Sequence, residues 1–226
     1  QNSPHELRLW EAAAVTLVGL LLYYPALSLG LLSDDFVLIR CSNTFNILPS
    51  SWDYFRPLPL ATCWLITRLV PSSIVSEALH FLNIGLHIAN AILLIRVAAA
   101  LGLSRRRALV SGLLFVCFPL SVEAVVWPSA LPDLALTLVA LVVVDMSLRS
   151  ARLSLGLMFS MFVLTGIALA IKETAVTLPL LIVACLFATR AAASRYRLAL
   201  ASGAVVAAYA AARLVNQELS GHFAPM

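Results

Sequence analysis

Long apolar stretches separated by short polar segments dominate this chain. Seven of them have lengths on either side of the roughly 20 residues that a helix needs to cross a bilayer. They lie at 10–32, 74–101, 106–119, 131–148, 153–171, 175–188 and 196–214, and the third and sixth are the short ones. The alternation of apolar and polar residues that is typical of barrel strands is absent. Because lipid offers no partner to open backbone groups, the pattern predicts an all-α polytopic membrane protein with about seven transmembrane helices.

The composition supports a membrane protein. Apolar residues make up 62% of the 226 residues and charged residues 12%, whereas a soluble domain has about 45–50% and about 25%. The net charge of +4 comes mainly from arginines near predicted helix ends, so no nucleic-acid partner is expected. No cleavable signal is visible, which makes the first apolar run a membrane anchor. Since the chain begins with Gln1 and stops in a polar segment, we expect it to be part of a longer product.

The charges around the predicted helices are distributed unevenly. With the N-terminus in the cytoplasm, the cytoplasmic side carries ten basic and three acidic residues, and the other side carries five basic and eight acidic residues. Cytoplasmic loops of membrane proteins are enriched in Lys and Arg, so this split predicts a cytoplasmic N-terminus and an acidic outer side. Arginine makes up fourteen of the fifteen basic residues, a bias that favours a GC-rich bacterium and hence the bacterial inner membrane.

The first outer segment, 33–73, is too apolar to be a simple linker. Residues 36–45 and 57–70 are each predicted to form a short amphipathic helix in the membrane interface. Four aromatic residues are expected at the level of the lipid headgroups, namely Trp52, Tyr54, Phe55 and Trp64. This segment therefore predicts two interfacial helices between the first and second membrane helices.

Two adjacent carboxylates, Asp34 and Asp35, follow the first apolar run. A carboxylate at this boundary can remove the proton from an acceptor hydroxyl as a general base, and a second one can orient it or bind a cation. The alternative is a solvated helix end, because a charge at the membrane surface costs little. Successive residues point in different directions, so we expect one carboxylate, assigned to Asp35, to be the base and the other to orient it or cap a helix.

A polar stripe runs along the predicted second membrane helix. His80, Asn83, His87 and Asn90 fall within an arc of about 80° on one helical face. In lipid, polar side chains must face protein or water, so the stripe is either a hydrogen-bonded seam between helices or part of a site. Two histidines at this spacing do not complete a metal site. No metal or other cofactor is predicted, although a divalent cation is left open.

Three of the five basic and two of the eight acidic residues on the predicted outer side are further candidates for a substrate site. Arg56, Lys172 and Arg213 can each bind a phosphate. The alternative for Arg56 is a surface arginine before a helix that begins with proline. The alternative for Lys172 and Arg213 is to pair with an acid, which for Lys172 is Glu173, or to extend to the headgroups.

Glu123 lies in the proline-rich connection between the third and fourth membrane helices, and Asp133 lies where that connection enters the fourth helix. Both are expected to face the same aqueous opening as the acidic pair. The alternative is a tight interfacial loop in which Trp127 lies at the level of the headgroups.

Five motifs in this order resemble the GT-C glycosyltransferase superfamily, and within it the protein O-mannosyltransferase-like branch that includes the tetratricopeptide-carrying enzymes. They are Ser-Asp-Asp-Phe at 33–36, Tyr-Phe-Arg-Pro-Leu at 54–58, His-Phe-Leu-Asn at 80–83 with Leu-His at 86–87, Pro-Leu-Ser-Val-Glu-Ala-Val at 119–125 with Trp127 and Leu-Pro-Asp-Leu at 131–134, and Lys-Glu-Thr-Ala at 172–175 with Leu-Pro at 178–179. The chain departs from the family at Ser121, where relatives often have His. Family members are also much longer and carry further membrane helices.

The resemblance implies a seven-helix module with the acidic catalytic motif and two interfacial helices in its first outer loop. It implies a polyprenyl-phosphate-linked sugar as donor, Asp35 or Asp34 as the base, and a donor phosphate bound among the three outer basic residues. The polar residues expected at the substrate site are Glu123, Asp133, His80 and Asn83. The expected function is sugar transfer on the outer face. The alternative is a catalytically silent relative that serves as an accessory or structural subunit of a larger membrane complex.

Overall fold

The computed structural model describes residues 7–43, 56–150 and 152–219, and the regular structure in these ranges is entirely helical. The α-helices are α1 (Leu9–Tyr23), α2 (Asp34–Asn43), α3 (Pro57–Leu69), α4 (Val75–Ala100), α5 (Arg105–Val116), α6 (Ser121–Val126), α7 (Leu131–Arg149), α8 (Leu155–Ile171), α9 (Leu178–Ala188) and α10 (Arg197–Leu219). Short 3₁₀ segments connect several of them. The all-α prediction is confirmed. Trp52, Tyr54 and Phe55 lie outside the described residues.

Each predicted apolar segment corresponds to a helix, although several helix ends differ from the predicted ones. The seven predicted membrane segments correspond to α1, α4, α5, α7, α8, α9 and α10, and the two predicted interfacial helices correspond to α2 and α3. The helical segments that are long and apolar enough to cross a membrane are Leu9–Ser28, Ser72–Ala100, Pro128–Arg149 and Ala193–Val215. Large apolar side chains cover much of the outer surface, which fits a protein embedded in a membrane.

The first apolar run ends earlier than predicted. We expected one helix as far as Leu32, but α1 stops at Tyr23 and a 3₁₀ segment continues only to Ser28. Pro25 explains the break, because proline has no N–H to donate and its ring clashes with the preceding turn. The chain then runs without helix to Ser33, whose φ of 48° is left-handed. The acidic pair consequently opens α2 and does not follow directly on α1.

The packing centres on α4, which contacts α1, α5, α6 and α7. One apolar core joins α1, α4 and α5 through Val15, Ala91 and Val116. A second core joins α7, α8, α9 and α10, and its buried members include Met161 and Leu186. Because α7 packs against both α4 and α8, it connects the two halves of the bundle.

Buried carboxylates at one end of the bundle hold the helices together. Asp145 of α7 is 6% exposed and accepts hydrogen bonds from Arg96 at 2.7 Å and Arg149 at 2.5 Å. Glu11 of α1 is 2% exposed and accepts from Arg105 of α5 at 2.6 Å. We call this the basic end, since α1, α5, α8 and α10 begin there and α4, α7 and α9 end there, with arginines at most of these termini.

The contact between α4 and α5 depends on the absence of a side chain at Gly112. A methyl group on Gly112 would lie 2.5 Å from Cγ1 of Ile95 and 3.0 Å from the carbonyl oxygen of Ala91. Because Ile95 is itself buried, we expect Gly112→Ala to lower the free energy of unfolding by about 1–2 kcal/mol. Thermal denaturation in detergent micelles measures this loss.

Gly203→Ala in α10 is the matched control for that substitution. A methyl group on Gly203 meets no atom within 4 Å, and alanine favours the helix over glycine. We therefore expect Gly203→Ala to leave the melting temperature unchanged or to raise it. Equal melting temperatures for the two variants would contradict the close approach of α4 and α5.

Candidate functional site

Asp35 is fully buried at the start of α2, with 0% exposure. Its Oδ2 accepts a hydrogen bond from the backbone N–H of Leu32 at 2.8 Å. Its Oδ1 accepts from the backbone N–H of Ser129 at 2.8 Å and from the Ser129 hydroxyl at 2.7 Å. A carboxylate offers about four lone-pair positions, so one position on Oδ2 is left to receive a proton. Asp35 is thus held in one orientation, with one acceptor position of Oδ2 unused.

Asp34 has a different environment. It is exposed, and its Oδ1 accepts a long hydrogen bond of 3.3 Å from the hydroxyl of Ser33. The bond from Leu32 to Asp35 closes the first turn of α2, so Asp35 itself forms the cap, which was one of the two roles that the sequence interpretation left open for Asp34. The physical reason is that the carboxylate of a residue in the second position of a helix points back toward the preceding backbone N–H groups and can accept hydrogen bonds from them. The assignment of Asp35 as the base stays a prediction.

A cavity of about 730 Å³ lies beside Asp35. One wall is the non-helical stretch 29–33, and the other includes Glu123 of α6 and Trp127. Most of the lining side chains are apolar, and the volume is in the range of about 300–1,000 Å³ that ligand pockets occupy. An apolar cavity with a buried carboxylate in its wall suits an amphiphilic ligand that carries hydroxyl groups.

Two of the three cations predicted to bind a phosphate, Arg56 and Lys172, are each paired with a carboxylate. Arg56 donates from Nε to Glu173 Oε2 at 3.0 Å and from Nη2 to Oε1 at 2.6 Å, a bidentate arrangement. Lys172 donates from Nζ to Oδ1 of Asp133 at 2.5 Å. The adjacent residues Lys172 and Glu173 therefore tie α7 and α3 to the segment that follows α8.

Arg213 is close to these pairs. It lines a cavity of about 390 Å³ together with Glu173, Val176 and Tyr209, and its Nη1 donates to the Tyr209 hydroxyl at 3.3 Å. Since Glu173 also binds Arg56 and follows Lys172 in the chain, the three predicted cations are gathered around one short segment. The sequence interpretation had weighed Glu173 only as a partner for Lys172.

The pair of Arg56 and Glu173 predicts a dependence of stability on pH. The hydrogen bond from Arg56 lowers the pKa of Glu173 below its ordinary value of 4.5, although burial acts in the opposite direction. A lowered folded pKa means that the carboxylate stabilises the fold above its unfolded pKa and loses this effect as the pH falls through the folded pKa. Because both side chains are partly exposed, the effect on stability is modest.

We expect Glu173→Gln to lower the melting temperature at neutral pH, with a difference from the parent that shrinks as the pH falls below 4.5. The measurement is thermal denaturation in detergent over a pH series, with parent and variant in the same buffers. Other groups titrate in both proteins, so the difference isolates Glu173. A difference that persists unchanged into strong acid would contradict the ion pair.

The polar stripe of α4 is bonded to neighbouring segments. Nδ2 of Asn83 donates to the carbonyl of Trp127 at 3.0 Å, and Nδ2 of Asn90 donates to the carbonyl of Leu134 at 3.0 Å. A ring nitrogen of His87 lies 3.4 Å from the carbonyl of Val116. These contacts form a seam between helices, one of the two interpretations of the stripe. A part for Asn83 at a substrate site stays a prediction.

His80 differs from the rest of the stripe. It is 1% exposed, and within the described ranges neither of its ring nitrogens has a hydrogen-bond partner. Oδ1 of Asn83 and Nε1 of Trp127 share this feature. Trp127 also lines the cavity beside Asp35, and its backbone carbonyl accepts the hydrogen bond from Asn83. Asn83 therefore connects the stripe to one residue of the cavity wall.

Ser129 is a site residue that the sequence interpretation missed. It supplies two of the three hydrogen bonds to Asp35, across 94 positions of sequence. The one signal was a small polar residue inside the proline-rich connection, between Pro128 and Pro132. Such a residue is common in tight turns, so the signal did not distinguish a ligand of Asp35 from an ordinary turn residue.

Comparison with protein-family models, with curated proteins and with solved structures gave no match. Over residues 7–43, 56–150 and 152–219, no three His, Cys, Asp or Glu side chains converge in a way that can hold a metal ion. The support for a function consequently comes from the site around Asp35 and from the motifs that form it.

Proposed function

We propose that this chain is the membrane module of a glycosyltransferase that moves a sugar from a polyprenyl-phosphate donor to an acceptor on the outer face of the bacterial inner membrane. The observation that carries the proposal is the buried, hydrogen-bonded carboxylate of Asp35 in the wall of a largely apolar cavity of about 730 Å³. A base must lie within reach of the proton that it removes and must be held in place. Asp35 meets the second condition, and the cavity offers room for the acceptor.

The proposed reaction needs one base and no redox partner. Oδ2 of Asp35 takes the proton of the acceptor hydroxyl, and the acceptor oxygen forms a bond to the anomeric carbon. The bond from that carbon to the phosphate oxygen breaks, and its electron pair leaves with the polyprenyl phosphate. Attack from the opposite face inverts the configuration. We place the phosphate near Arg56, Lys172 and Arg213, where it competes with the carboxylates that now hold the first two.

We also propose that seven helices cross the membrane, with the N-terminus in the cytoplasm. The support is that successive long helices run in alternating directions, so that their arginine-rich termini lie together at the basic end. These helices are α1, α4, α5, α7, α8, α9 and α10. Cysteine substitutions at two exposed serines test the orientation. Ser33→Cys should react with an impermeant reagent from outside and Ser104→Cys only from inside. Reaction of Ser33→Cys from inside would reverse the topology.

An accessory subunit of a larger membrane complex is the second candidate. The observation that favours it is the pairing of Arg56 with Glu173 and of Lys172 with Asp133, because both cations are already neutralised inside the chain. A structural subunit needs such pairs to hold its helices, whereas a transferase needs cations that can exchange onto a phosphate. The two candidates therefore predict different behaviour toward the donor.

Sugar transfer in proteoliposomes separates the two candidates. The purified protein that contains this chain is mixed with a labelled polyprenyl-phosphate sugar and an acceptor peptide. In a second measurement, the lipids that copurify with the protein are identified by mass spectrometry. A copurified donor and labelled product support the transferase. No transfer and no bound donor, together with loss of a larger complex when this chain is deleted, would support the accessory subunit.

A further inference from the structure

The basic end holds more arginines than its carboxylates can neutralise. Within the described ranges its carboxylates are Glu11 and Asp145, and both are buried in ion pairs with other arginines. Several exposed arginines at this end have no ion pair in the described part of the chain: Arg106, Arg107, Arg152, Arg190 and Arg197. The described carboxylates therefore leave this positive charge without compensation.

Three of these arginines belong to one edge of the bundle. Their neighbours in the chain, Leu153, Ala191 and Tyr196, all pack against the apolar core that α7, α8, α9 and α10 share. The start of α8, the end of α9 and the start of α10 are consequently anchored on the same core. The guanidinium groups of Arg152, Arg190 and Arg197 extend from these three anchored points.

Each of the three arginines has a large exposed apolar side chain three residues away. Leu155 follows Arg152 with 85% exposure, Phe187 precedes Arg190 with 76%, and Leu200 follows Arg197 with 71%. Since α8 and α10 begin at the basic end and α9 ends there, each apolar residue lies on the side of the arginine toward the middle of the bundle. From the end of the bundle toward its middle, a charged group is followed by an apolar one. A phospholipid in a membrane has the same arrangement, with its charged headgroup at the surface and its acyl chains toward the middle.

Arg190 also occupies an unusual backbone conformation. Its φ is 51°, and the N–H of Ala191 closes the end of α9 on the carbonyl of Leu186 at 2.9 Å. Glycine is the usual residue at such a helix end because it adopts a positive φ without strain. The arginine supplies a charge that glycine lacks, at a point beside the apolar surface of Phe187.

We propose that the ends of α8, α9 and α10 form a binding site for an anionic phospholipid. The guanidinium groups of Arg152, Arg190 and Arg197 hold its headgroup phosphate, for which guanidinium has the matching bidentate geometry. The three neighbouring apolar side chains contact its acyl chains, which is why the site takes a phospholipid and not a free phosphate. This site is separate from Asp35, so its test does not depend on sugar transfer.

The test compares lipids added to the purified protein in neutral detergent. We expect phosphatidylglycerol to raise the melting temperature and to appear as a bound adduct in native mass spectrometry. Phosphatidylcholine and inorganic phosphate at the same concentration should produce at most half of that shift. A shift of equal size with phosphatidylcholine or with inorganic phosphate would overturn the proposal.

Two double variants test the location of the site. Arg190→Gln with Arg197→Gln should reduce the shift caused by phosphatidylglycerol at least two-fold. Arg40→Gln with Arg68→Gln removes the same charge from exposed arginines of α2 and α3, and it should keep the full shift. Equal shifts in the parent and in both double variants would overturn the proposal.

Arg190→Gly separates lipid binding from folding. Glycine relieves the positive φ, so this variant should melt no lower than the parent in neutral detergent. Its shift with phosphatidylglycerol should nevertheless fall, because one guanidinium is missing. A variant that keeps both the parental melting temperature and the full lipid shift would exclude Arg190 from the site.

Discussion

Asp35→Asn is expected to slow sugar transfer by about 10²–10⁴-fold, the usual size of a general-base contribution. The amide cannot take a proton from the acceptor hydroxyl. Asp34→Asn is the matched control, since Asp34 is exposed and its carboxylate accepts a single long hydrogen bond from Ser33. We expect Asp34→Asn to retain most of the activity. Initial rates in proteoliposomes, divided by the amount of folded protein, measure both effects.

The same substitution also lowers stability, and this contribution has to be measured separately. Both carboxylate oxygens of Asp35 accept hydrogen bonds, whereas Asn has one acceptor oxygen. The NH₂ group of Asn therefore points at an N–H donor, that of Leu32 or of Ser129, and cannot accept from it. An unmade hydrogen bond of this kind costs about 1–3 kcal/mol. Ser129→Ala removes one bond to Oδ1 and keeps the carboxylate, so it should lose stability with a much smaller loss of rate.

If Asp35→Asn and Asp34→Asn both transfer sugar at the parental rate, neither carboxylate acts as the base. A rate lost in equal measure by Ser129→Ala and Asp35→Asn would instead show that Asp35 acts through the fold. The proposal requires that Asp35→Asn lose far more activity than its loss of folded protein explains. This is the difference between a base and a cap, and Asp35 occupies a position from which it can act as both.

Helix positions could be predicted from the sequence because they depend on the length of apolar runs. The ends of α4, α7 and α8 agree with the predicted segments to within two residues. The end of α1 departs furthest from its predicted segment, because the apolar run continues to Leu32 but Pro25 interrupts the helix. Apolar character marks what is buried in lipid, whereas a proline decides which backbone bonds can form.

The pairings within the site could not be predicted in the same way. Arg56 and Glu173 are 117 residues apart, and the predicted outer side held several carboxylates that could have paired with Arg56. Helical periodicity fixes which residues share a face, as for Asn83 and His87. It does not fix which helix lies opposite, and so neither Ser129 as the partner of Asp35 nor Asp133 as the partner of Lys172 followed from the sequence.

Asp145→Asn is expected to lower the free energy of unfolding by about 2–4 kcal/mol. Breaking a buried ion pair typically costs about 3–5 kcal/mol because a charge is left unpaired, and the 42% exposure of the Arg96 side chain reduces that cost. Asp145 lies between Arg96 of α4 and Arg149 of α7, and Arg149 also donates to the backbone carbonyl of Arg96. Without the carboxylate, two guanidinium groups repel each other where the two halves of the bundle meet.

Asp133→Asn is the matched control, because it also removes a carboxylate from an ion pair of α7, at the opposite end of the helix. The side chain of Asp133 is 52% exposed, and exposed pairs contribute about 0–1 kcal/mol. Unfolding in detergent should therefore show a much larger loss for Asp145→Asn. Equal losses would mean that water screens both pairs alike. Replacing Asp145 together with Arg96 and Arg149 by leucine should recover most of the stability, since apolar residues of similar volume replace a buried ionic group at little cost.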